Sequence, residues 1–304
     1  MRIVKKILYI ANLQIRRTHW FKDVFFPCCS KFWSYNRFNT KVVNLGSSSA
    51  LHAFDYEGYD TIAANWAITR NSIVGDLAIL KNYYSFLDPI QSTVLLPICP
   101  FSSLSGRYDY LDDRYYTFLY PSSIPSFSVQ RLNQVMEKYN NPMRYYPVVE
   151  IFASIRRLFK RKNATMTSQE MLADANKWYS GWLKEFSIVN LDGELSLINK
   201  DSISEYCDYL QEMISFCEER YINLYIVIPP VYKTLRDKFD DNARDILFSS
   251  ILKVAQSRGV RVLDYFSNSE FSDNKDNFRN SFFLNKNGAR VFTKRVLEDI
   301  QILK

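Results

Sequence analysis

The residues with the clearest spacing for chemistry lie between positions 40 and 60, in TKVVNLGSSSALHAFDYEGYD. The pattern predicts a short apolar strand, a tight turn at Gly46-Ser47-Ser48, and the start of a helix. Such a turn presents a hydroxyl at the edge of a sheet, where backbone N–H groups and the helix dipole stabilise an anion. Ser48 is therefore a candidate nucleophile for acyl transfer. The alternative interpretation is that Ser47 or Ser48 only caps the following helix.

A serine nucleophile needs a base, and the chain contains only two histidines, His19 and His52. His52 follows Ser48 by four residues, so on a helix their Cβ atoms would lie about 5–6 Å apart. We weigh His52 as a substitute base against a role in local packing or capping, and nothing in the sequence brings His19 near this site. The other candidates are carboxylates: Asp55, Asp76 and Asp264. The last of these is also expected to cap the turn after its strand.

Strands and helices alternate along most of the chain, which is typical of a parallel sheet. The predicted strands cover residues 41–45, 61–65, 92–98, 223–228 and 260–264. The predicted helices cover residues 48–55, 72–86, 202–219, 241–258 and 285–300, the third opened by Asp201 or Ser202 as cap. We therefore predict an α/β fold: a three-layer sandwich with a mainly parallel central sheet, of the flavodoxin-like kind.

Residues 103–200 interrupt this alternation and are predicted to form a largely helical insertion or cap, with helices at 129–139 and 148–162. The densest positive stretch, IRRLFKRK at 155–162, is interpreted as a solvated helix face in preference to an anion-binding surface. The aromatic side chains of Trp178, Tyr179 and Trp182 are interpreted as core packing in preference to a sugar platform.

The remaining N-terminal segment, residues 1–39, is predicted to hold an initial strand or short helix, followed by an irregular aromatic stretch. We treat it as an extension of an α/β domain that covers residues 40–304. Its apolar run is too short for a signal-peptide core or a membrane span. We therefore expect a cytoplasmic protein, with peripheral membrane contact through Arg2, Lys5 and Lys6 as a further hypothesis.

The composition describes a globular protein. Of its 304 residues 47% are hydrophobic and 16% aromatic, which excludes a disordered chain. The net charge of +7 suits an anionic glycan, a phosphate-bearing substrate or an anionic membrane surface, and solubility alone would also explain it. Nucleic acid is not an expected partner, because basic and acidic residues are interspersed and no binding motif is present.

Cysteine usage predicts neither a disulfide framework nor a metal site. The count is odd and no metal-type spacing occurs among Cys28, Cys29, Cys99, Cys207 and Cys217. A reducing compartment therefore fits best, and we expect no metal and no cofactor.

In parallel sheets, sites form at the carboxyl ends of the strands. Four predicted strand ends carry small or polar groups: residues 46–48, 65–70 and 100–103, and the loop after Asp264. We expect these groups to share one cleft.

Five stretches follow one another in the same order as similar stretches in the members of a known superfamily. They are NLGSSSALHAFDY, NWAITRNSIVGDLAILKNY, PICPFSSL, LYIVIPPVYKTL and FRNSFFLNKNGARVFTKRV. The chain resembles the SGNH (GDSL-like) hydrolases over residues 40–300, with the middle third loosely covered. It is most similar to the branch with Gly-Ser-Ser in place of Gly-Asp-Ser, which is associated with bacterial polysaccharide and cell-envelope biosynthesis.

The resemblance implies that Ser48 is the nucleophile. Its amide would form an oxyanion hole together with groups near Gly46, in the segment Asn65 to Arg70, and near Ser102. The late Asp-x-x-His motif of the superfamily is replaced here, and this puts the activity in doubt. Its acid and base positions are occupied by Asn280 and Phe283. Neither residue can take a proton from a serine or orient an imidazole.

Two hypotheses follow from this departure. The first is an SGNH-type carbohydrate esterase or O-acyltransferase of bacterial polysaccharide metabolism, with impaired or altered catalysis on an acylated glycan or other small ester. The second is a non-catalytic pseudoenzyme that binds a glycan or a partner protein. The sequence does not indicate an oligomeric state.

Overall fold

The computed structural model describes residues 2–33, 37–105, 113–124, 126–147, 149–150 and 166–303. The chain divides into two compact units. One comprises Met1–Asn36 and Asp109–Ala164, and the other Arg37–Tyr108 and Thr165–Lys304. The basic stretch 155–162 and, apart from residues 149–150, the helix predicted at 148–162 lie outside the described residues.

The sheet consists of β1 (Val42–Asn44), β2 (Ala63–Asn65), β3 (Ser92–Pro97), β4 (Ile222–Ile228) and β5 (Arg261–Asp264). The helices are α1 (Arg2–Arg16), α2 (Ser30–Trp33), α3 (Ser48–Ala53), α4 (Ile73–Tyr83), α5 (Val129–Asn140), α6 (Ser168–Glu185), α7 (Leu197–Glu218), α8 (Lys233–Arg236), α9 (Asp241–Ser257), α10 (Ser269–Ser272) and α11 (Lys286–Asp299).

All strand pairs are parallel, and the strand order is β2-β1-β3-β4-β5. This is the flavodoxin-like order, so the predicted α/β class with a parallel central sheet is confirmed. The chain leaves β1 toward β2 on one side and later returns to β3 on the other side. The order therefore reverses at β1 and β3, and a crevice is expected beyond their carboxyl ends.

Strands β1 and β3 are buried on both faces of the sheet, which makes three layers. Val42, Leu95 and Val227 share one face and belong to a core that also contains Phe292 of α11 and Ala53 of α3. Val43, Val94 and Ile226 alternate to the opposite face and are fully buried. There α7 contacts β4 and packs with α4 and α9.

Two predicted helices differ from the structure by three residues or more at one end. Helix α7 begins at Leu197, and its cap is Ser196, whose Oγ accepts from Asn199 N at 3.2 Å. The predicted cap at Asp201 or Ser202 is wrong, because the first turn exposes Leu197 and therefore breaks the apolar periodicity. The helix predicted over 72–86 ends earlier: α4 stops at Tyr83, and a 3₁₀ turn follows.

The first unit is built from aromatic packing around α1, α2 and α5. A π-helical turn follows α1, and within it Trp20 stacks on Phe25 with 4.5 Å between ring centroids. Phe32 stacks on Phe118 at 4.6 Å. The stretch expected to be an initial strand or short helix is the 15-residue helix α1. The domain boundaries proposed from the sequence remain predictions.

Within the part of the chain that the structure describes, no helix has both the length and the apolar character required to cross a bilayer.

Candidate functional site

A cavity of about 580 Å³ lies at the carboxyl ends of β1 and β3, within the second unit. Gly46, Ser47 and Ser48 line it after β1, and Cys99 and Ser102 line it after β3. The crevice that the strand order requires is therefore present, and the segment after β2 adds residues 70–73.

The loop after β5, which was expected to join the cleft, is not among the described residues that line the cavity. Asp264 instead closes its own turn, accepting from Phe266 N at 2.9 Å, and pairs with Arg244 at 2.6 Å. The turn-capping interpretation of Asp264 agrees with these contacts.

Ser47 and Ser48 line this cavity, and their hydroxyls have no local partner. Ser47 occupies the N-cap position of α3, with φ −101° and ψ −152°, yet makes no side-chain cap hydrogen bond. Neither hydroxyl bonds to another described residue. The capping interpretation is therefore wrong for Ser47. Because α3 has only six residues, its dipole is weaker than that of a longer helix.

Gly46 and Asp76 form the most restrained contact of the site. Gly46 has φ +108°, and a Cβ there would lie 2.7 Å from the Cβ of Ala50, so this position requires glycine. Gly46 N donates to Asp76 Oδ1 at 2.7 Å, and Asn71 Nδ2 donates to the same oxygen at 2.6 Å. The Gly46 N–H is thus engaged by a carboxyl group and is not available to an oxyanion.

Of the three carboxylates considered from the sequence, Asp55, Asp76 and Asp264, only Asp76 is among the described residues that line the cavity. Burial raises its pKa to about 7, although the hydrogen bonds from Gly46 and Asn71 oppose the shift. Its second oxygen, Oδ2, accepts no hydrogen bond from the described residues. The sequence signal for this burial was an acidic residue inside the apolar helix IVGDLAILKNY.

Asn65, expected near the oxyanion hole, does not line the cavity. Its Nδ2 donates to the carbonyls of Leu51 at 3.3 Å and Phe54 at 3.0 Å, at the end of α3. Its Oδ1 accepts from Asn44 Nδ2 at 3.0 Å and from Ala67 N at 3.1 Å. Both ends of this side chain therefore act within the fold.

Arg70 and Ser102, also expected at the site, do line the cavity. Arg70 is exposed at φ 53° and forms no ion pair or hydrogen bond with the described residues. Ser102 Oγ accepts from Cys99 N at 2.9 Å and lies 3.2 Å from Cys99 Sγ. Burial raises the pKa of the Cys99 thiol, so this sulfur is held in its protonated form.

Phe283, at the position expected for the base, lines the cavity, whereas Asn280 and His52 do not. Asn280 Oδ1 accepts from the backbone N of Phe282 at 3.1 Å and of Phe283 at 2.7 Å, so it closes a local turn. The His52 ring packs on Phe283 with 4.8 Å between centroids. His19 belongs to the other unit, where its Nδ1 lies 2.6 Å from Asp23.

Aromatic rings form the wall of the cavity that carries Phe283: Phe101, Trp178, Trp182, Phe186, Phe282 and Phe283. Trp178 lies 5.0 Å from Phe282 and 5.5 Å from Phe283. Tyr179 points elsewhere and packs on Phe239 at 5.5 Å. The prediction of core packing therefore fits Tyr179. Trp178 also packs on other rings, but in addition it lines the cavity.

Helix α6 positions this wall, and the sequence analysis did not identify it. Its start is a capping box in which Thr167 Oγ1 accepts from Glu170 N at 3.2 Å and Glu170 accepts from Thr167 N at 2.6 Å. The Thr-x-x-Glu spacing was the signal. Asp174 of α6 then accepts from Ser281 N at 3.0 Å and Ser281 Oγ at 2.5 Å, which ties the Phe282–Phe283 turn to the helix.

The site can bind a ligand that has both polar groups and an apolar face. Its lining includes the hydroxyls of Ser47 and Ser48, which have no described partner, the cation of Arg70, and several aromatic rings. Among the described residues no group of His, Cys, Asp and Glu side chains could hold a metal ion.

No protein-family model matches this sequence, and no curated protein sequence is significantly similar to it. Similar solved structures include three bacterial hydrolases, and the match covers 86% of this chain in each case. A psychrotrophic esterase from Pseudoalteromonas sp. is 12% identical, with a TM-score of 0.38 over 97% of its chain.

The second, described as the lipase/acylhydrolase from Enterococcus faecalis, is 9% identical, with a TM-score of 0.37 over 95% of its chain. The third, a putative lipolytic protein of the G-D-S-L family from Desulfitobacterium hafniense, is 11% identical, with a TM-score of 0.37 over 99%. At these values the likenesses assign no role to any residue, and the roles proposed below depend on the geometry of this chain.

Proposed function

We propose that this chain is an SGNH-type ester-binding protein, related to carbohydrate esterases and O-acyltransferases of bacterial polysaccharide metabolism, with impaired or altered catalysis. One observation carries the proposal. Ser48 lines a cavity in which the position expected for the catalytic imidazole is occupied by the ring of Phe283. In this proposal Ser48 keeps the position of the nucleophile, and Phe283 takes the position of the group that would activate it.

The cavity supports a small polar ligand such as an acylated sugar. Its volume of about 580 Å³ is in the range typical of small-molecule sites. Sugars offer hydroxyls to polar groups and an apolar face to aromatic rings, and the walls of this cavity supply both. Arg70, which has no described partner, can in addition bind an anionic group of the ligand.

Altered catalysis would require another base, and the described cavity offers Asp76. A carboxyl with a pKa of about 7 is suited to accept a proton near neutral pH. Its Oδ2 accepts no hydrogen bond from the described residues. We therefore name Asp76 ahead of His52, because His52 packs on Phe283 and does not line the cavity.

The alternative function is a pseudoenzyme that binds a glycan or a partner protein without turnover. It is favoured by the turn around Asn280, which holds Phe283 in the aromatic wall through two backbone hydrogen bonds. For either function we propose a reducing, cytoplasmic location, because Cys99, Cys207 and Cys217 are free thiols.

Fluorophosphonate labelling, followed by intact-mass measurement, tests the two functions. Ser48→Ala is compared with Ser47→Ala, a matched control because both residues line the cavity and neither hydroxyl has a described partner. A stoichiometric adduct on the wild type and on Ser47→Ala, absent from Ser48→Ala, supports altered catalysis. If Asp76→Asn then loses the adduct while remaining folded, Asp76 is the base.

No adduct on a folded wild type would favour the pseudoenzyme. Acetylated oligosaccharides are then titrated while tryptophan fluorescence is followed, since Trp178 and Trp182 line the cavity. A saturable change that Trp178→Leu reduces supports glycan binding. A chain that neither labels nor responds to acetylated glycans would contradict the ester-binding proposal.

A further inference from the structure

Helix α1 carries an exposed apolar surface on its first two turns. Its exposed fractions are 76% for Ile3, 59% for Val4, 60% for Ile7, 45% for Leu8 and 48% for Ile10. Large aliphatic side chains are rarely left in water as a contiguous group, and such groups mark interaction sites.

The five aliphatic residues lie on one side of the helix, whereas Tyr9, which is 61% exposed, lies on the side of the lysines. At 3.6 residues per turn, Ile3, Ile7 and Ile10 follow one line along the axis, and Val4 and Leu8 lie beside it. Lys5 and Lys6 lie on the other side and are exposed. This separation defines an amphipathic helix, and we name its apolar side, residues 3, 4, 7, 8 and 10, the α1 stripe.

The other end of α1 is held by its own unit. Asn12 is buried, and its Oδ1 accepts from Met143 N at 3.0 Å. Arg16 donates to Asn140 O at 3.2 Å and lies over the ring of Tyr139 at 4.8 Å. The α1 stripe is thus presented on a helix anchored at its C-terminal half, and the described residues leave its side chains exposed.

The charged residues of α1 itself are all basic. Residues 1–22 contain Arg2, Lys5, Lys6, Arg16, Arg17 and Lys22, and the first acidic residue is Asp23. A second copy of the chain seated on this surface would bring lysines toward lysines, which disfavours self-association. An anionic lipid surface meets both requirements, because it accepts an apolar face and attracts the flanking cations.

We propose that α1 binds flat on an anionic lipid bilayer, with the α1 stripe at the acyl boundary and Lys5 and Lys6 among the headgroups. Its 15 residues span about 22 Å, so the helix lies on the surface and does not cross the bilayer. This binding is independent of the ester-binding proposal and recruits the protein to a membrane surface.

Co-sedimentation of the full chain with vesicles tests the proposal. We expect binding to phosphatidylcholine vesicles that contain phosphatidylglycerol, weaker binding in high salt, and little binding to phosphatidylcholine alone. Neutralising one lysine near an anionic surface lowers partitioning about fivefold, so Lys5→Gln/Lys6→Gln together should lower it about 25-fold.

Ile7→Glu should abolish vesicle binding without unfolding the protein, because the side chain is 60% exposed. Val189→Glu is the matched control, since Val189 is a 94% exposed aliphatic residue outside α1.

Undiminished binding by Ile7→Glu, equal binding to neutral vesicles, or no binding to anionic vesicles would each overturn the proposal. A lipid-free dimer that Ile7→Glu dissociates would also overturn it and would assign the α1 stripe to a second copy. Labelling at Ser48 is measured on the same variants, so failure here is distinguishable from failure of the ester-binding proposal.

Discussion

The imidazole of His52 lies against the ring of Phe283, with 4.8 Å between the ring centroids. Burial lowers the pKa of His52, and the positive charge of Arg279 lowers it further. His52 is therefore a neutral imidazole at pH 7, the form that can accept a proton. The ring that meets the cavity, however, is the phenyl group of Phe283.

Restoring the acid and base at the turn should create activity. We expect Asn280→Asp/Phe283→His to raise ester hydrolysis at least about tenfold over the wild type, because a positioned general base accelerates acyl transfer. The aspartate can still accept the backbone hydrogen bonds of Phe282 and Phe283. Initial rates with p-nitrophenyl acetate measure the effect.

The control for that gain is Asn280→Asp/Phe283→Leu, which removes the aromatic ring without adding a base. The gain should also vanish when Ser48→Ala is added to the active variant. Equal rates for the histidine and leucine variants would contradict the assignment of position 283 as the lost base.

Asp76 should make stability depend on pH. Its pKa is about 7 in the folded protein against 3.8 ordinarily, so between these values the folded state keeps a proton that the unfolded state releases. Stability from this group is therefore complete below about pH 4 and falls as pH rises toward 7, by about 1.4 kcal/mol per pH unit.

Asp76→Asn removes the pH-dependent contribution of this carboxyl to stability, and its side-chain oxygen can still accept the hydrogen bond from Gly46 N. The melting temperature of the variant minus that of the wild type should therefore be more positive at about pH 8 than at about pH 5. Differential scanning fluorimetry across this range measures the difference. Parallel pH profiles would mean that the pKa of Asp76 is ordinary.

Gly288 should tolerate no side chain. A Cβ at Gly288 would lie 2.0 Å from the carbonyl oxygen of Asn277, so Gly288→Ala must displace backbone and should cost more than about 3 kcal/mol. Gly181, also within a helix, has nothing within 4 Å of an added Cβ. Gly181→Ala should therefore stabilise the protein by up to about 1 kcal/mol. Urea denaturation compares the two variants, and similar destabilisation by both would contradict the steric explanation.

Asn65 should matter for folding and not for the reactivity of Ser48. Asn65→Ala removes bonds to the end of α3 and to Asn44 and Ala67, and should lower the free energy of unfolding by about 2–4 kcal/mol. Asn223→Ala, an exposed asparagine on β4, is the control and should change it by less than about 0.5 kcal/mol. If folded Asn65→Ala instead lost fluorophosphonate labelling that the wild type shows, Asn65 would belong to the oxyanion hole.

Local patterns account for what the sequence alone determined. Strand and helix periodicity depends on residues that are close in sequence. It was therefore sufficient to predict the parallel α/β class and a turn that places Ser48 at the end of a strand. The identities of Asn280 and Phe283 likewise led to the prediction that two proton-handling groups are missing, and this remains a prediction. The continuous apolar run near the N-terminus is short, and it led to the prediction of only a strand or a short helix there. The length of α1 follows from apolar residues that recur at helical spacing among lysines.

Only the tertiary structure decided which side chains meet. The bond from Gly46 to Asp76, the packing of Phe283 on His52, and the use of Asn65 to close α3 all join residues from different elements. Such contacts depend on how the helices pack on the sheet, which local propensity does not specify. For the same reason Trp178 became part of the cavity wall: Asp174 and Ser281 join α6 to a turn more than a hundred residues away, at a distance of 3.0 Å.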